Sequence, residues 1–186
     1  MPRNDILDAA VQIFGQKGFH AASMQDIAVA VNLQKGSLYH YVSSKQEILV
    51  EVLDQSIIFL TDNMDSVMQL DLPADEKLRL AMRVYLQEML ENRDKASVLL
   101  LEHRSLEPEY RERHIPLRDK FERLWQELIN EGASQSLFTC EDPAITARAI
   151  LGVMNWAVTW YRPDGSLNPG EIAEQFADLF LGGLYA

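Results

Sequence analysis

The chain has 186 residues, 47% hydrophobic and 24% charged, with nine Gly, seven Pro and one Cys, which excludes a low-complexity or disulfide-built protein. At this length on the order of 70% of the unfolded surface can be buried without metals or staples, so no cofactor is needed for folding. The net charge of −11 argues against a uniformly basic nucleic-acid binder, but residues 1–50 hold four bases (Arg3, Lys17, Lys35, Lys45) and four acids (Asp5, Asp8, Asp26, Glu47), so residues 51–186 carry the whole excess of acid.

An acidic body repels phosphate out to about a Debye length, ~8 Å at physiological salt. A polyanionic partner therefore has to be met by the first 50 residues. The start, Met1-Pro2-Arg3-Asn4-Asp5, lacks the basic and apolar regions of an export signal. The most apolar stretch, Ala149 to Tyr161, is interrupted by Asn155 and Thr159 and is shorter than the roughly 20 apolar residues that cross a bilayer. The expectation is a cytoplasmic protein with no membrane partner. Cys140 fits a reducing compartment and a packing or surface role.

In chain order the pattern reads as helix throughout. Asn4 is placed to cap a first helix with Ile6, Leu7, Ala10, Ile13 and Phe14 on one face, stopped by Gly15 and Gly18. Ser23-Met24-Gln25-Asp26 is a capping-box pattern opening a short helix, and Ser44-Lys45-Gln46-Glu47 is a second opening a long helix toward Leu70. Between them Lys35 to Tyr41 allows about two turns. After the Leu72-Pro73 break, Leu78, Ala81, Met82, Tyr85, Leu86, Met89 and Leu90 recur at threes and fours, until Arg93-Asp94 interrupts. Val98 to Leu106 reads as a shorter apolar helix. Leu117, Phe121, Leu124, Trp125 and Leu128 mark a long one closed by Gly132, which Pro116 either starts or kinks. Asp142-Pro143 and Asn168-Pro169 each place a cap before a first-turn proline, so the last two helices begin there, separated by the turn Arg162-Pro163-Asp164-Gly165. No alternating β-branched run and no long repeat occurs. The expected fold is all-α.

The segment from Met24 to Tyr41 carries the functional signal. Two short helices crossing steeply need a small residue where they touch and a left-handed-tolerant one at the bend. Ala28 and Asn32 suit those positions, with Ile27, Val31, Leu33 and Leu38 as core. This is a helix-turn-helix. Its second helix offers Gln34, Lys35, Ser37, Tyr39, His40 and Tyr41, side chains able to bond base edges and phosphates. The competing reading is a compact three-helix unit whose polar residues are merely solvated.

The runs Ser23-Met24-Gln25-Asp26-Ile27-Ala28, Lys35-Gly36-Ser37-Leu38-Tyr39-His40-Tyr41 and Ser44-Lys45-Gln46-Glu47-Ile48-Leu49 resemble the TetR/AcrR family of bacterial one-component repressors. The resemblance implies a DNA-binding head over residues 1–48 and a ligand-binding and dimerisation body over 49–186. It implies phosphate anchors at Tyr39, Tyr41 and Lys45, and a base-facing set of Gln34, Lys35, Ser37 and His40. Ser23 and Gly36 complete the expected DNA-binding set. Two positions depart from the family pattern: Asn32 replaces the usual glycine of the turn, and Val42 the usual Phe. Asn tolerates the left-handed turn and Val is a smaller core filler, so the reading stands. A short recognition helix reads only a few base pairs. Two heads on a two-fold dimer, about 34 Å or a multiple apart, would meet a palindromic operator in double-stranded DNA.

The Pro143 helix is apolar on nearly every face (Ile145, Ala149, Ile150, Val153, Met154, Trp156, Ala157, Val158, Trp160), as expected for a helix buried on two sides or central within a monomer. The last helix adds Ile172, Phe176, Leu179, Phe180 and Leu184. The resemblance implies that these two helices pair with their copies in a four-helix interface. Val153, Trp156, Trp160, Phe176 and Phe180 are then the interface candidates of a homodimer. The stripe Arg148, Gly152, Asn155 and Thr159 breaks the apolar surface, and buried polar groups must find partners in protein or ligand. The pocket candidates are Met82, Tyr85, Met89, Leu100, His103, Phe121 and Trp125, with Asn155 and Thr159; the same Met and aromatic stripe would serve as plain core.

Gly152-Val153-Met154-Asn155-Trp156, Trp160-Tyr161-Arg162-Pro163-Asp164-Gly165 and Glu171-Ile172-Ala173 resemble the branch of TetR regulators of sterol-ring and fatty-acid catabolism, whose effectors are acyl-CoA thioesters. That implies a small apolar or acyl-CoA effector. An anionic CoA needs a local basic patch, for which Arg104, Arg111, Arg113, Arg118, Lys120 and Arg123 are candidates, although interleaved charges of this kind also make an ordinary solvated helix face. Without a Glu-x-x-His pair, a Gly-rich phosphate loop or a His-Glu-x-x-His motif, and with four scattered histidines (His20, His40, His103, His114), no enzyme activity, metal site or cofactor is expected. The alternative function is an apolar-ligand carrier or protein-binding adaptor that does not bind DNA.

Overall fold

The computed structural model describes residues 3–184, without the side chain of Leu184. The expected contribution of Leu184 to the last helix's apolar face therefore lies outside the described residues. Helices α1 (Arg3–Lys17), α2 (Met24–Ala30), α3 (Lys35–Leu38), α4 (Lys45–Met68), α5 (Ala74–Glu91), α6 (Arg93–Leu101), α7 (Pro108–Ser134), α8 (Pro143–Trp160) and α9 (Pro169–Leu184) follow in order, with a 3-10 turn at Glu102–Ser105. No strand occurs among the described residues, so the fold is all-α. No helix among them is long and apolar enough to cross a membrane.

The helix starts follow local chemistry. At α2 the Ser23 hydroxyl accepts from the Asp26 N–H and the Asp26 carboxylate accepts from the Ser23 N–H at 2.9 Å, a reciprocal capping box. At α8, Asp142 accepts from the N–H groups of Ala144 and Ile145 ahead of Pro143. At α9, Asn168 and Glu171 cap each other. At α4 only half of the expected box forms: Ser44 Oγ accepts from the Glu47 N–H, while the Glu47 carboxylate turns to Ser43 and Arg3. Arg3 bonds Glu47 and Glu51 and donates to the Tyr41 carbonyl, and α1 starts at Arg3 with Asn4 inside it.

Other boundaries differ from expectation for identifiable reasons. Gly15 lies inside α1, which ends only where Gly18 takes φ +77°. Segment α3 is one turn, not two. Beyond Leu38 the N–H groups of His40 and Tyr41 bond three residues back, a tighter turn. Helix α6 begins at Arg93, earlier than its apolar run suggested, and Leu101–Leu106 passes through the 3-10 turn. Pro116 sits within α7. Gly132 also lies within α7, and its role is packing: a Cβ there would stand 2.1 Å from the Phe138 ring.

Packing divides the chain into two units. One comprises the described residues up to Ile58 with Arg93–Leu117; the other comprises Phe59–Asn92 with the described residues from Arg118 onward. In the first, Ile6, Phe14, Ile27, Leu38, Ile48, Leu49 and Leu53 are fully buried together, and α6 packs on α1. In the second, α5 packs chiefly on α9 and also on α8. Ala28 is wholly buried at the α2 crossing, and Asn32 takes φ +56°, the left-handed bend expected of it.

Candidate nucleic-acid interface, ligand cavity and subunit face

Leu38 roots α3 in the first unit's core with none of its surface exposed. Around it Gln34, Lys35, Gly36, Tyr39, His40 and Tyr41 are exposed and Ser37 is half-buried. Gln34 makes no side-chain cap bond, so its amide is not tied to α3. Gly36 has ample room for a Cβ and no left-handed φ, so nothing inside the fold requires glycine there. Ser23 is exposed at the start of α2, with its hydroxyl held by Asp26.

The four cations of residues 1–50 are used differently. Lys17 pairs with Asp26 at 2.8 Å, and Arg3 with Glu47 and Glu51. Lys45, expected as a phosphate anchor, is placed elsewhere: its ammonium donates to the carbonyls of Phe19 and Ala22, both at 2.6 Å, and lies 4.3 Å from the centre of the Phe19 ring. It satisfies carbonyls that the loop between α1 and α2 leaves without helical partners. Lys35 makes no ion pair or hydrogen bond among the described residues.

Two carboxylates of the first unit, Asp26 at the α2 cap and Glu47 bound to Ser43 and Arg3, are held acidic. Glu47 falls from its ordinary 4.5 to about 2, chiefly through the Ser43 hydroxyl and then Arg3. Asp26 falls from 3.8 to about 2 through Lys17 and then Ser23. A folded-state pKa below the unfolded one adds stability that is complete above the unfolded value and is lost as pH falls toward the folded one. The contribution of these two carboxylates is therefore expected to be complete above pH ~4.5 and to be lost on acidification toward pH ~2. Chemical denaturation across that range checks it: in Glu47→Gln the acid-dependent loss should shrink, and an unchanged loss would acquit this carboxylate.

In the second unit, Tyr85, Phe121 and Trp125 form an aromatic trio. The Tyr85 and Phe121 rings stack at 5.7 Å, and the Trp125 ring meets Tyr85 edge-on at 5.9 Å. They line a cavity with Ala81 and Val84 of α5 and with Leu60, Asn63, Met64 and Val67 of α4. The cavity is partly open, and its free volume is about 10 Å³, close to the minimum that one water needs. The Tyr85 hydroxyl donates to Asn155 Oδ1 at 2.6 Å, and burial raises the phenol's pKa well above its ordinary value, so it stays neutral.

Of the expected pocket set, Tyr85, Phe121 and Trp125 line this cavity. Met82 and Met89 are buried in α5 outside the lining; Leu100 and His103 belong to the other packing unit. Asn155 reaches the site through its bond to Tyr85. Thr159 is exposed and donates back to the Trp156 carbonyl. The polar stripe expected to be buried is mostly on the surface, since Arg148 and Gly152 are exposed as well. Sequence reasoning missed the α4 wall, although its spacing of Leu60, Asn63, Met64 and Val67 marks one helix face. Of the basic candidates, Arg113 pairs with Asp54, Lys120 with Asp65, and Arg111 donates to the Leu106 carbonyl, while Arg104, Arg118 and Arg123 are exposed.

Helices α8 and α9 leave a large apolar face open. Trp156 is 67% exposed, Leu179 68%, Ile145 59% and Trp160 44%. Val153 is also exposed, Phe176 and Phe180 are half-buried, and the Trp160 and Phe176 rings meet edge-on at 6.4 Å. A Cβ at Gly152, Gly182 or Gly183 would meet nothing, so backbone lies bare beside these side chains. Contiguous apolar surface of this kind marks an interaction site.

Comparison with known proteins finds a family match over each half of the chain. Residues 6–52 match the family model "Bacterial regulatory proteins, tetR family", and residues 71–184 match "Tetracyclin repressor-like, C-terminal domain". The chain is 26% identical over 184 residues to the HTH-type transcriptional repressor KstR2 of Mycobacterium tuberculosis, covering 98% of this chain and 92% of that one. It is 35% identical to the regulator PfmR of Thermus thermophilus, whose crystal structure superposes with a TM-score of 0.88 over 97% of this chain and 99% of that chain. AibR, solved in complex with isovaleryl coenzyme A and operator DNA, is 26% identical with a TM-score of 0.86 over 98% of this chain and 97% of that chain. These relatives are transcriptional regulators, not enzymes.

Proposed function

The chain belongs to the TetR family of bacterial regulatory proteins, and we propose that within it this member is a cytoplasmic homodimeric repressor of a palindromic operator, released by a small apolar effector of the acyl-CoA class. The observation that carries the reading is α3: a one-turn helix fixed by fully buried Leu38 that turns its polar and aromatic residues outward. Residues 1–48 form the DNA-binding head. Gln34, Lys35, Ser37 and His40 face bases; Tyr39 and Tyr41 approach phosphates; Ser23 lies at the edge of the contact. Gly36 lets backbone come close to the duplex, which accounts for a glycine that the fold does not need.

Residues 49–186 form the effector and dimer body, with Val153, Trp156, Trp160, Phe176 and Phe180 in the interface. The acyl-CoA class is supported by AibR's isovaleryl coenzyme A complex and by the apolar lining around Tyr85, Phe121 and Trp125. An effector larger than this free volume forces α4, α5 and α7 apart. That biases the dimer toward a head spacing that no longer matches successive major grooves.

Operator fragments selected from random sequence, titrated by fluorescence anisotropy, test this. Tyr39→Ala is expected to weaken operator binding about tenfold, at a cost of about 1.4 kcal/mol, without altering effector binding. With Lys35 as the cation of each head that has neither an ion pair nor a hydrogen bond among the described residues, log affinity should fall with log salt at a slope of about −2 per dimer. A slope near zero, or unchanged affinity in Tyr39→Ala, would remove α3 from the DNA.

A further inference from the structure

Trp125 is completely buried, yet its indole Nε1–H has no acceptor among the described residues. A buried donor without a partner costs about 1–3 kcal/mol, and indole nitrogen can only donate. Trp125 is one of the residues that line the cavity, the space beside it in this unit. Its other polar groups are few. The Tyr85 hydroxyl donates its hydrogen bond to Asn155, and Asn63 makes no side-chain hydrogen bond among the described residues. No cationic side chain lines the space.

Resting on the effector reading above, we infer that the Trp125 indole N–H recognises a neutral carbonyl oxygen of the effector, and that the cavity thereby selects an acyl thioester over the corresponding free acid. A carboxylate here would be desolvated with no counter-charge, which strongly disfavours it. A thioester carbonyl needs one donor and no counter-charge. Apolar Leu60, Val84 and Phe121 suit the acyl chain that the carbonyl carries.

Isothermal titration of the full chain with isovaleryl-, butyryl- and octanoyl-CoA, the matching S-alkyl thioethers with CH2 in place of the carbonyl, and the free acids tests the inference. The wild type is expected to bind at least one thioester about tenfold more tightly than its thioether, and to leave the free acids unbound where that thioester saturates. In Trp125→Phe that preference should vanish while the thioether's affinity stays within about twofold. Should that variant misfold, the indole N–H resonance of Trp125 in 15N-labelled wild type gives the answer: it should move downfield with thioester and not with thioether.

A preference that survives in Trp125→Phe, an indole resonance unmoved by bound thioester, a free acid that binds equally well, or no binding by any thioester would each overturn the inference. Operator titration of the same samples without ligand separates that failure from failure of the repressor reading, because DNA binding by the free protein does not depend on Trp125.

Discussion

Replacing Trp156 by Asp is expected to yield a folded monomer whose operator affinity drops to that of a single head. The indole stands 67% exposed on α8, among exposed Ile145, Val153 and Trp160, so its own chain loses little packing when it is removed. In a two-fold pair the substitution acts twice. An interface tryptophan at a hot spot costs about 2 kcal/mol or more on truncation, so the dimer should weaken by about 4 kcal/mol, roughly a thousandfold. Light scattering from nanomolar to micromolar protein, with far-UV dichroism as the control for folding, measures it. A variant that stays dimeric across that range would take the α8 and α9 face out of the interface.

The second large effect is expected in the core. A Cβ at Gly132 would meet Cδ2 and Cε2 of Phe138 at 2.1 and 2.2 Å, and that ring is only 5% exposed. Alanine gains about 1 kcal/mol over glycine in a helix, but expelling the ring forfeits about 1.5–3 kcal/mol of burial. Gly132→Ala should therefore destabilise slightly, and Gly132→Leu, with more atoms to place, by about 3 kcal/mol. For a chain of this size that lowers Tm by about 6–12 °C. Thermal melts would show it, and Gly132→Ala combined with Phe138→Ala should cost less than the two separately because the side chains share one space. An unchanged or raised Tm in Gly132→Leu would mean the ring moves aside without loss.

What could be read ahead of the structure was what short-range chemistry decides. Ser23 with Asp26, Asp142 before Pro143 and Asn168 before Pro169 sit close enough in sequence for side chain and backbone to determine the outcome, as does Asn32 at its left-handed bend. The unreadable part depended on residues far apart in the chain. Nothing near Lys45 says that its ammonium meets the carbonyls of Phe19 and Ala22. Nothing near Asn155 indicates Tyr85, 70 positions earlier. Glu47 matched a capping pattern, but the reach of Arg3 redirected it. Periodicity identifies the apolar face of α5; it does not separate Tyr85, which borders the cavity, from Met82 and Met89, which do not.

Under the proposed function, the small free volume beside Trp125 bears on how sensitively the protein would respond. If the effector fits only a form with the helices parted, measured affinity is intrinsic affinity scaled by how often that form occurs; a form present one time in a hundred makes binding about a hundredfold weaker. The threshold concentration is then governed by the cohesion of the walls as much as by ligand contacts. Trimming an apolar residue behind the aromatic trio would retune the dose at which genes switch while leaving every ligand-touching atom in place.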